Sequence, residues 1–459
     1  MSQGPATAPL TIQSANEAAV GAVLDDIKGF RHNYWAPVLL GVIMLFDSWD
    51  SIAIAFAVPS LAAEWGLNPL EMGGAISAGY AGQFFGAFCL GALAERHGRM
   101  PILIGAIATM SVLAIACALT NDYRPLLAMR FIQGIAIGGA MPVAISYINE
   151  LAPTKTRGRY FGMFQTLAIS GFAAASLASP FIIPHLGWRW MLGLGFTPIV
   201  LLPLVWLTLP ESPRWLARNG RLAAADKALA KLGGRAAFGG QAADGTAAPA
   251  GEPQPRVKLG ALLSPEMRGR TLTITLLWLL TMFVSFGLTT WAPSIYVKSF
   301  HIPIDRAMNY SALASILIFL TLAVSGVLID RFGRRPFAIG GLIVTGGSLL
   351  LLAATGATQE YVVATLVTIG KIAIFFGTYV LWPYTAETYP TNLRALALGY
   401  AASIGRGASM VTPLFVGFVL ERGASISIVF GSFGLCALAA TALWITRTSE
   451  TAGRRLETI

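Results

Sequence analysis

The sequence has little charge. Of its 459 residues only 12% are Asp, Glu, Lys or Arg, and 55% are hydrophobic. A soluble chain carries about 25% charged residues, so that class is excluded. Cysteine is scarce: Cys89, Cys117 and Cys436 all lie in apolar runs. That excludes a disulfide framework and a thiolate metal site and leaves them as packing residues. There are four histidines. His97, His185 and His301 fall in loops or at run ends, His32 precedes the first run, and no His-x-x-x-His metal pair occurs. The Gly-x-x-x-x-Gly-Lys-Ser/Thr phosphate loop is missing, which excludes ATP as a driving force. A hydrolase triad is missing too. Ten-residue stretches of alternating polarity, the mark of a membrane β-barrel, are absent. Residues 1–30 lack a basic start, an apolar h-region and a cleavage site, so no signal peptide is expected and the first spanning helix serves for targeting.

What the chain does have is long apolar runs. They fall at 35–61, 70–93, 101–120, 124–147, 160–183 and 188–209, then at 271–296, 307–329, 336–356, 361–384, 396–420 and 425–446. Crossing a bilayer takes about 20 residues at roughly 1.5 Å each. The expected fold is therefore an all-α polytopic membrane protein of twelve transmembrane helices in two six-helix bundles. The 49 glycines suit helices that pack closely through small residues. Five segments follow: a tail 1–34, a bundle 35–209, a linker 210–270, a bundle 271–446 and a tail 447–459. Within them, residues 15–30 suit a short amphipathic helix on the membrane surface. Arg221 to Leu232 reads as a surface helix, and Gly233 to Pro255 as flexible Gly/Ala/Pro-rich chain.

The net charge of +10 reflects membrane topology rather than nucleic-acid binding. With the N-terminus inside, the tails, the linker and the loops on that side hold about 24 of the 32 basic residues. The opposite loops hold Arg124, Arg189, Lys298, Arg306 and Arg422. This places both termini in the cytoplasm.

Arg130, Lys371 and Arg406 lie inside the runs, as do Asp47 and Asp50. Charge at membrane depth is costly and marks function. Counting residues puts Asp47 roughly 18 Å and Asp50 roughly 22 Å from the inner edge. Arg130 lies roughly 9 Å below the outer edge of a core about 30 Å thick, level with Asp50. Asp47 is one helical turn below Asp50, on nearly the same face. It is a second proton site, a substrate contact or a partner for Arg406; the spacing does not choose. Lys371 and Arg406 both fall near the midplane, and their half has no acid at that depth. An anionic substrate would supply the counter-charge, and the guanidinium fork suits a carboxylate. The alternative for Lys371 is snorkelling, or bonding to backbone carbonyls. Trp49, Tyr80, Phe84, Phe283, Phe286, Tyr379, Trp382 and Tyr384 lie near the same level. They either stack on a flat substrate or pack the bundle.

Two signatures repeat. Gly91-Ala-Leu-Ala-Glu-Arg-His-Gly-Arg99 follows the second run, and Gly326-Val-Leu-Ile-Asp-Arg-Phe-Gly-Arg-Arg335 follows the eighth. Glu150-Leu-Ala-Pro153 leads to Arg157, and Glu387-Thr-Tyr-Pro390 leads to Arg394. Two equivalent halves imply a site between them.

These loops resemble the signatures of the major facilitator superfamily, with Glu95 where Asp is more usual. Arg130-Phe-Ile-Gln-Gly134 leading to Glu150 and Arg157-Gly158 is similar to the fourth-span pattern of sugar porters and their organic-ion relatives, as is Pro210-Glu-Ser-Pro-Arg-Trp-Leu216. Asp47-Ser-Trp-Asp50 resembles the Asp-Gly-x-Asp motif of aromatic acid:proton symporters, with Ser48 in place of Gly. Sugar porters carry paired Gln in the seventh span, and 271–296 contains none.

The resemblance implies a transporter, not an enzyme, whose halves rock about a midplane site and which needs no cofactor beyond the proton gradient. It implies proton coupling by Asp50 and Arg130, where the residues alone equally allow a static ion pair. It implies that Gln165 faces the substrate. At the cytoplasmic face it implies a gating network of Glu95, Arg96, Arg99, Glu150, Arg157, Asp330, Arg331, Arg334, Glu387 and Arg394, joined by Glu211 and Arg214. The expected activity is proton symport, importing a small organic anion, an aromatic or heteroaromatic carboxylate, across a bacterial inner membrane. The partners are that anion, protons and lipid, with no nucleic acid, and the expected state is a monomer. The alternatives are a sugar or polyol symporter and an organic-ion or drug exporter. A signalling sensor on this fold would need a cytoplasmic domain that the Gly/Ala-rich linker does not make.

Overall fold

The computed structural model describes residues 12–27, 30–239, 259–356 and 358–451. Residues 1–11, most of the Gly/Ala/Pro-rich linker and residues 452–459 lie outside the described residues. Spans 1 to 6 are Phe30–Trp65, Pro69–His97, Arg99–Leu119, Tyr123–Leu151, Arg157–His185 and a broken span from Trp188 to Thr208. Spans 7 to 12 are Arg268–Lys298, Ile304–Phe332, Arg334–Thr355, Glu360–Thr388, Thr391–Glu421 and Ile426–Arg447. Eleven of these are long and apolar enough to cross a membrane, and span 8 is a helix of 29 residues. No strand occurs among the described residues.

Several helices outrun their apolar runs because polar residues cap and extend them. Span 2 starts in a capping box: Asn68 Oδ1 accepts from the Glu71 amide at 2.8 Å, and Glu71 accepts in return from the Asn68 amide. Span 6 is not one helix. It breaks into Trp188–Gly193, a 3-10 turn Leu194–Phe196 and Pro198–Thr208. Pro198 has no amide hydrogen for the Leu194 carbonyl, and Gly193 and Gly195 flank the break. Spans 2 and 4 cross almost backbone to backbone. A Cβ at Gly82 would overlap the Phe131 carbonyl, and one at Gly134 the Gly79 carbonyl.

The N-terminal helix, Ile12–Asp26, does not stand alone as a surface helix. Val20, Val23 and Leu24 form a stripe at helical spacing and are buried against Trp215, Leu216, Ala225 and Leu229. Those residues belong to two linker helices, Pro213–Arg218 and Leu222–Lys231. The stripe thus finds a protein partner, and Asp25 accepts from the Thr154 amide in the loop between spans 4 and 5 at 2.6 Å. The terminal helix, the linker helices and the end of span 12 share one face of the bundle, here called the tail face.

The halves are packed together at the far face. A Cβ on Gly73 of span 2 would overlap the Pro413 carbonyl of span 11, and Gly417 likewise lies on Pro69. Tyr80 of span 2 meets Phe286 of span 7 edge-on, with ring centroids 5.3 Å apart. The buried core reflects this. One cluster runs through the second half and continues into far-face residues of the first, including Ile54, Leu61 and Ile76. The tail-side core of the first half, including Leu40, Leu103, Tyr147 and Phe164, is a separate cluster.

Candidate functional site

The first half holds a buried ion pair. Asp50 and Arg130 are each 2% exposed, and Arg130 Nη1 donates to Asp50 Oδ1 at 3.1 Å. Arg130 Nη2 also donates to the Asp50 carbonyl at 3.3 Å. The depth expected for the two residues is thus matched by direct contact. Neighbouring helices shape the site. A Cβ at Gly79 of span 2 would sit 3.0 Å from Arg130 Nη2, so the guanidinium lies on bare backbone there. The break in span 6 presents Gly195, whose Cβ would sit 3.3 Å from the Asp50 carboxyl carbon. A side chain at either position would press on the ion pair.

Gln133 belongs to this cluster. It is fully buried, accepts from Arg130 Nη1 at 2.8 Å and donates to Asp50 Oδ2 and to the Met110 carbonyl of span 3. Sequence reasoning passed it over. The signal was a polar amide one turn after Arg130, on the same face of an apolar helix.

Asp47 is buried as well, but its Oδ1 has no hydrogen-bond partner. The charged groups acting on it are Asp50 on its own helix and Arg406 of span 11, with no salt bridge to either. In the second half Lys371 is 4% exposed, and no carboxylate among the described residues lies near enough to act on it. Its place on span 10 is set by neighbours on the same face. Trp382 meets Trp278 of span 7 at 4.9 Å between centroids, and Thr385 accepts from the Trp278 indole at 3.0 Å. Lys371, about three and four turns earlier, therefore also faces span 7. Arg406 and Lys371 have no ion-pair partner among the described residues.

The aromatic set divides. Tyr80 and Phe286 meet where the halves join, and the Tyr80 hydroxyl donates to the Ser51 carbonyl at 3.3 Å. Tyr379 and Trp382 are about half exposed on span 10, and Phe84 meets Phe85 and Phe88 edge-on on span 2. Phe283 packs within its own half, on Phe415 and Phe433. Two residues are not where their level in the sequence suggested. Trp49 turns into the first half, where its indole donates to the Met191 carbonyl at 3.0 Å. Tyr384 packs on Trp444 of span 12 near the tail face, lining a small cavity with Arg270 and Arg447. Trp49 sits on a different helical face from Asp50, and Tyr384 on a different face from Trp382. Gln165 is half-buried, with its side-chain oxygen unpartnered.

At the tail face each half builds the same device. Arg99 is 2% exposed and pairs with Glu95 at 2.7 Å and Glu150 at 2.9 Å. Arg334 pairs with Glu387 at 3.2 Å. Glu211, just after span 6, accepts from the Arg99 and Met100 amides and so caps span 3. Glu450, just after span 12, accepts from the Arg334 and Arg335 amides and caps span 9. Burial holds the Glu211 carboxyl above the usual carboxylate range, against the pull of those amides and Arg99. Burial, and then Arg157, lowers the Arg214 guanidinium. Glu450 was missed, although it follows span 12 as Glu211 follows span 6. Among the described residues the tail-face salt bridges of Arg99, Arg218 and Arg334 with Glu95, Glu150 and Glu387 each lie within one half. Among the described residues Arg96, Arg157, Arg331 and Arg394 form no ion pair. The Asp330 side chain lies outside the described residues.

Two six-helix halves with matched loop clusters and charges at membrane depth define a membrane transporter of the major facilitator fold. The chain belongs to the family described as "Sugar (and other) transporter", whose profile matches residues 42–459. It is 31% identical over 440 residues to the niacin transporter of Acinetobacter baylyi, covering 95% of this chain and 98% of that one. It is 32% identical over 411 residues to the gallate transporter of Pseudomonas putida, covering 88% and 89%. The crystal structure of a D-xylose-proton symporter superposes with a TM-score of 0.72 at 20% identity, covering 91% of this chain and 98% of that one. The chain is thus a membrane-embedded transporter and not an enzyme.

Proposed function

We propose that this transporter imports a small aromatic or heteroaromatic carboxylate together with protons. The observation that carries the reading is the contrast between a closed Asp50–Arg130 pair in one half and two unpaired cations, Lys371 and Arg406, in the other. A carboxylate ligand supplies the missing counter-charge, and the named relatives for niacin and gallate move compounds of that chemistry. Asp50 carries the coupled proton. Beside Arg130 its charged form is favoured and by burial its neutral form, so a change of access tips the balance. Arg406, with Lys371, holds the carboxylate, and Tyr80, Phe286, Tyr379 and Trp382 offer ring faces. Gln165 adds an amide. The proton gradient drives the cycle without a cofactor. The excess of basic residues makes the tail face cytoplasmic, in a bacterial inner membrane. The closed far face then makes this the inward-facing state, in which the tail-face clusters stay within their halves.

The test is uptake by proteoliposomes containing the full chain. Radiolabelled nicotinate, gallate, 4-hydroxybenzoate and xylose are offered with and without an imposed pH gradient, acid outside. Accumulation of at least one carboxylate only under the gradient is expected. Xylose uptake without carboxylate uptake would instead establish the sugar reading, and gradient-independent accumulation would remove proton coupling.

A further inference from the structure

Gln133 has no part in the mechanism above, yet its amide is fully used. The side-chain oxygen accepts from Arg130 Nη1 at 2.8 Å. The side-chain nitrogen donates to Asp50 Oδ2 and, at 3.1 Å, to the Met110 carbonyl. Chemistry fixes which way the amide points. Turned over, its oxygen would face a carboxylate and a carbonyl, and its nitrogen would face a guanidinium. The Met110 carbonyl, on span 3, anchors the amide from outside the ion pair.

Arg130 Nη1 is shared between Asp50 Oδ1 and the Gln133 oxygen. When Asp50 takes a proton, Arg130 loses its ionic partner in a buried site. The Gln133 oxygen still accepts from it, so the guanidinium keeps a hydrogen bond and its place. The other charged or titratable groups acting on the pair are Asp47 on span 1, Tyr80 on span 2 and Cys117 on span 3. Span 6 presents Gly195, which adds none.

We infer that Gln133 is a positioning residue of the proton site. It holds Asp50 and Arg130 in register through both protonation states and sets the pH range over which Asp50 exchanges its proton. The inference rests on the reading of Asp50 as the coupled proton carrier.

The test needs no transported substrate. The purified full chain is titrated with pH while the protonated-carboxyl stretch is followed by infrared difference spectroscopy. Asp50→Asn identifies the Asp50 band. Gln133→Met, similar in shape but without the amide, is expected to move the midpoint of that band by about half a pH unit or more, as loss of a hydrogen bond to a carboxyl does. Gln133→Leu is the second variant, should the first fail to fold. If Asp50→Asn removes no titrating band, the proton-carrier reading and this inference both fall. If it removes the band and the Gln133 variants leave the midpoint in place, this inference alone is overturned. A lower melting temperature with an unmoved midpoint belongs to that second case, because it assigns Gln133 a packing role.

Discussion

The two halves are alike at the tail face and unlike at mid-depth. Arg99 with Glu150 and Glu211 in the first half has its counterpart in Arg334 with Glu387 and Glu450 in the second. At mid-depth the first half pairs Asp50 with Arg130 and Gln133 and leaves Asp47 without a salt bridge. The second half leaves Lys371 and Arg406 without carboxylates of their own. Capping and pairing at helix ends is a structural need that each half has in full. The mid-depth positions carry no such need, so there the halves are free to take separate tasks. The half that holds the Asp50–Arg130 pair can hold a proton. A half with spare positive charge can hold an anion.

That contrast can be broken most strongly at the closed pair. Arg130→Met leaves Asp50 buried without its cation and is expected to cost about 3–5 kcal/mol of stability, read as a large fall in melting temperature. Asp50→Asn keeps a neutral acceptor and should fold, lose gradient-driven accumulation and retain exchange. Accumulation at the wild-type level would remove Asp50 from the coupling step. Lys371→Met should behave in the opposite way to Arg130→Met. Lys371 has no partner to strand, so the melting temperature is expected to hold or rise. The affinity for the transported carboxylate is expected to fall about tenfold or more, the scale of one charge-assisted hydrogen bond. Unchanged affinity would place the anion elsewhere.

A smaller effect tests the likeness of the halves. Glu150→Gln and Glu387→Gln remove equivalent, partly exposed carboxylates, and each is expected to lower stability by about 1 kcal/mol or less. A clear loss in one variant alone would show that the two clusters are not equivalent. The smallest effect is a pH dependence at Glu211. Its folded carboxyl titrates above the unfolded value, so its stabilising contribution is complete below the unfolded value and is lost as pH rises through the folded one. Glu211→Gln cannot titrate. Its melting temperature relative to wild type should therefore be more favourable at pH 7 than at pH 5, and a difference independent of pH would contradict the burial argument.

Much of this was legible in the chain alone. Apolar runs determine spanning helices because every backbone polar group in lipid must be bonded within the helix. The repeated loops determine two halves, and residue counting brought Asp50 level with Arg130 because helical rise is constant. Three kinds of feature were not legible. Helix rotation decided that Trp49 faces into its own half, since depth does not settle direction, and Tyr384 lies one turn from the tail-face end of span 10. Side-chain reach across helices decided that Gln133 joins the ion pair and that Glu450 caps a helix more than a hundred residues away. The third was the relative placement of the halves, which decided that they pack together at the far face. The sequence by itself determined the spanning helices, the repeat and the cost of each buried charge. Only the tertiary structure decided which of those charges are partnered, because partnership depends on distances that a linear pattern does not contain.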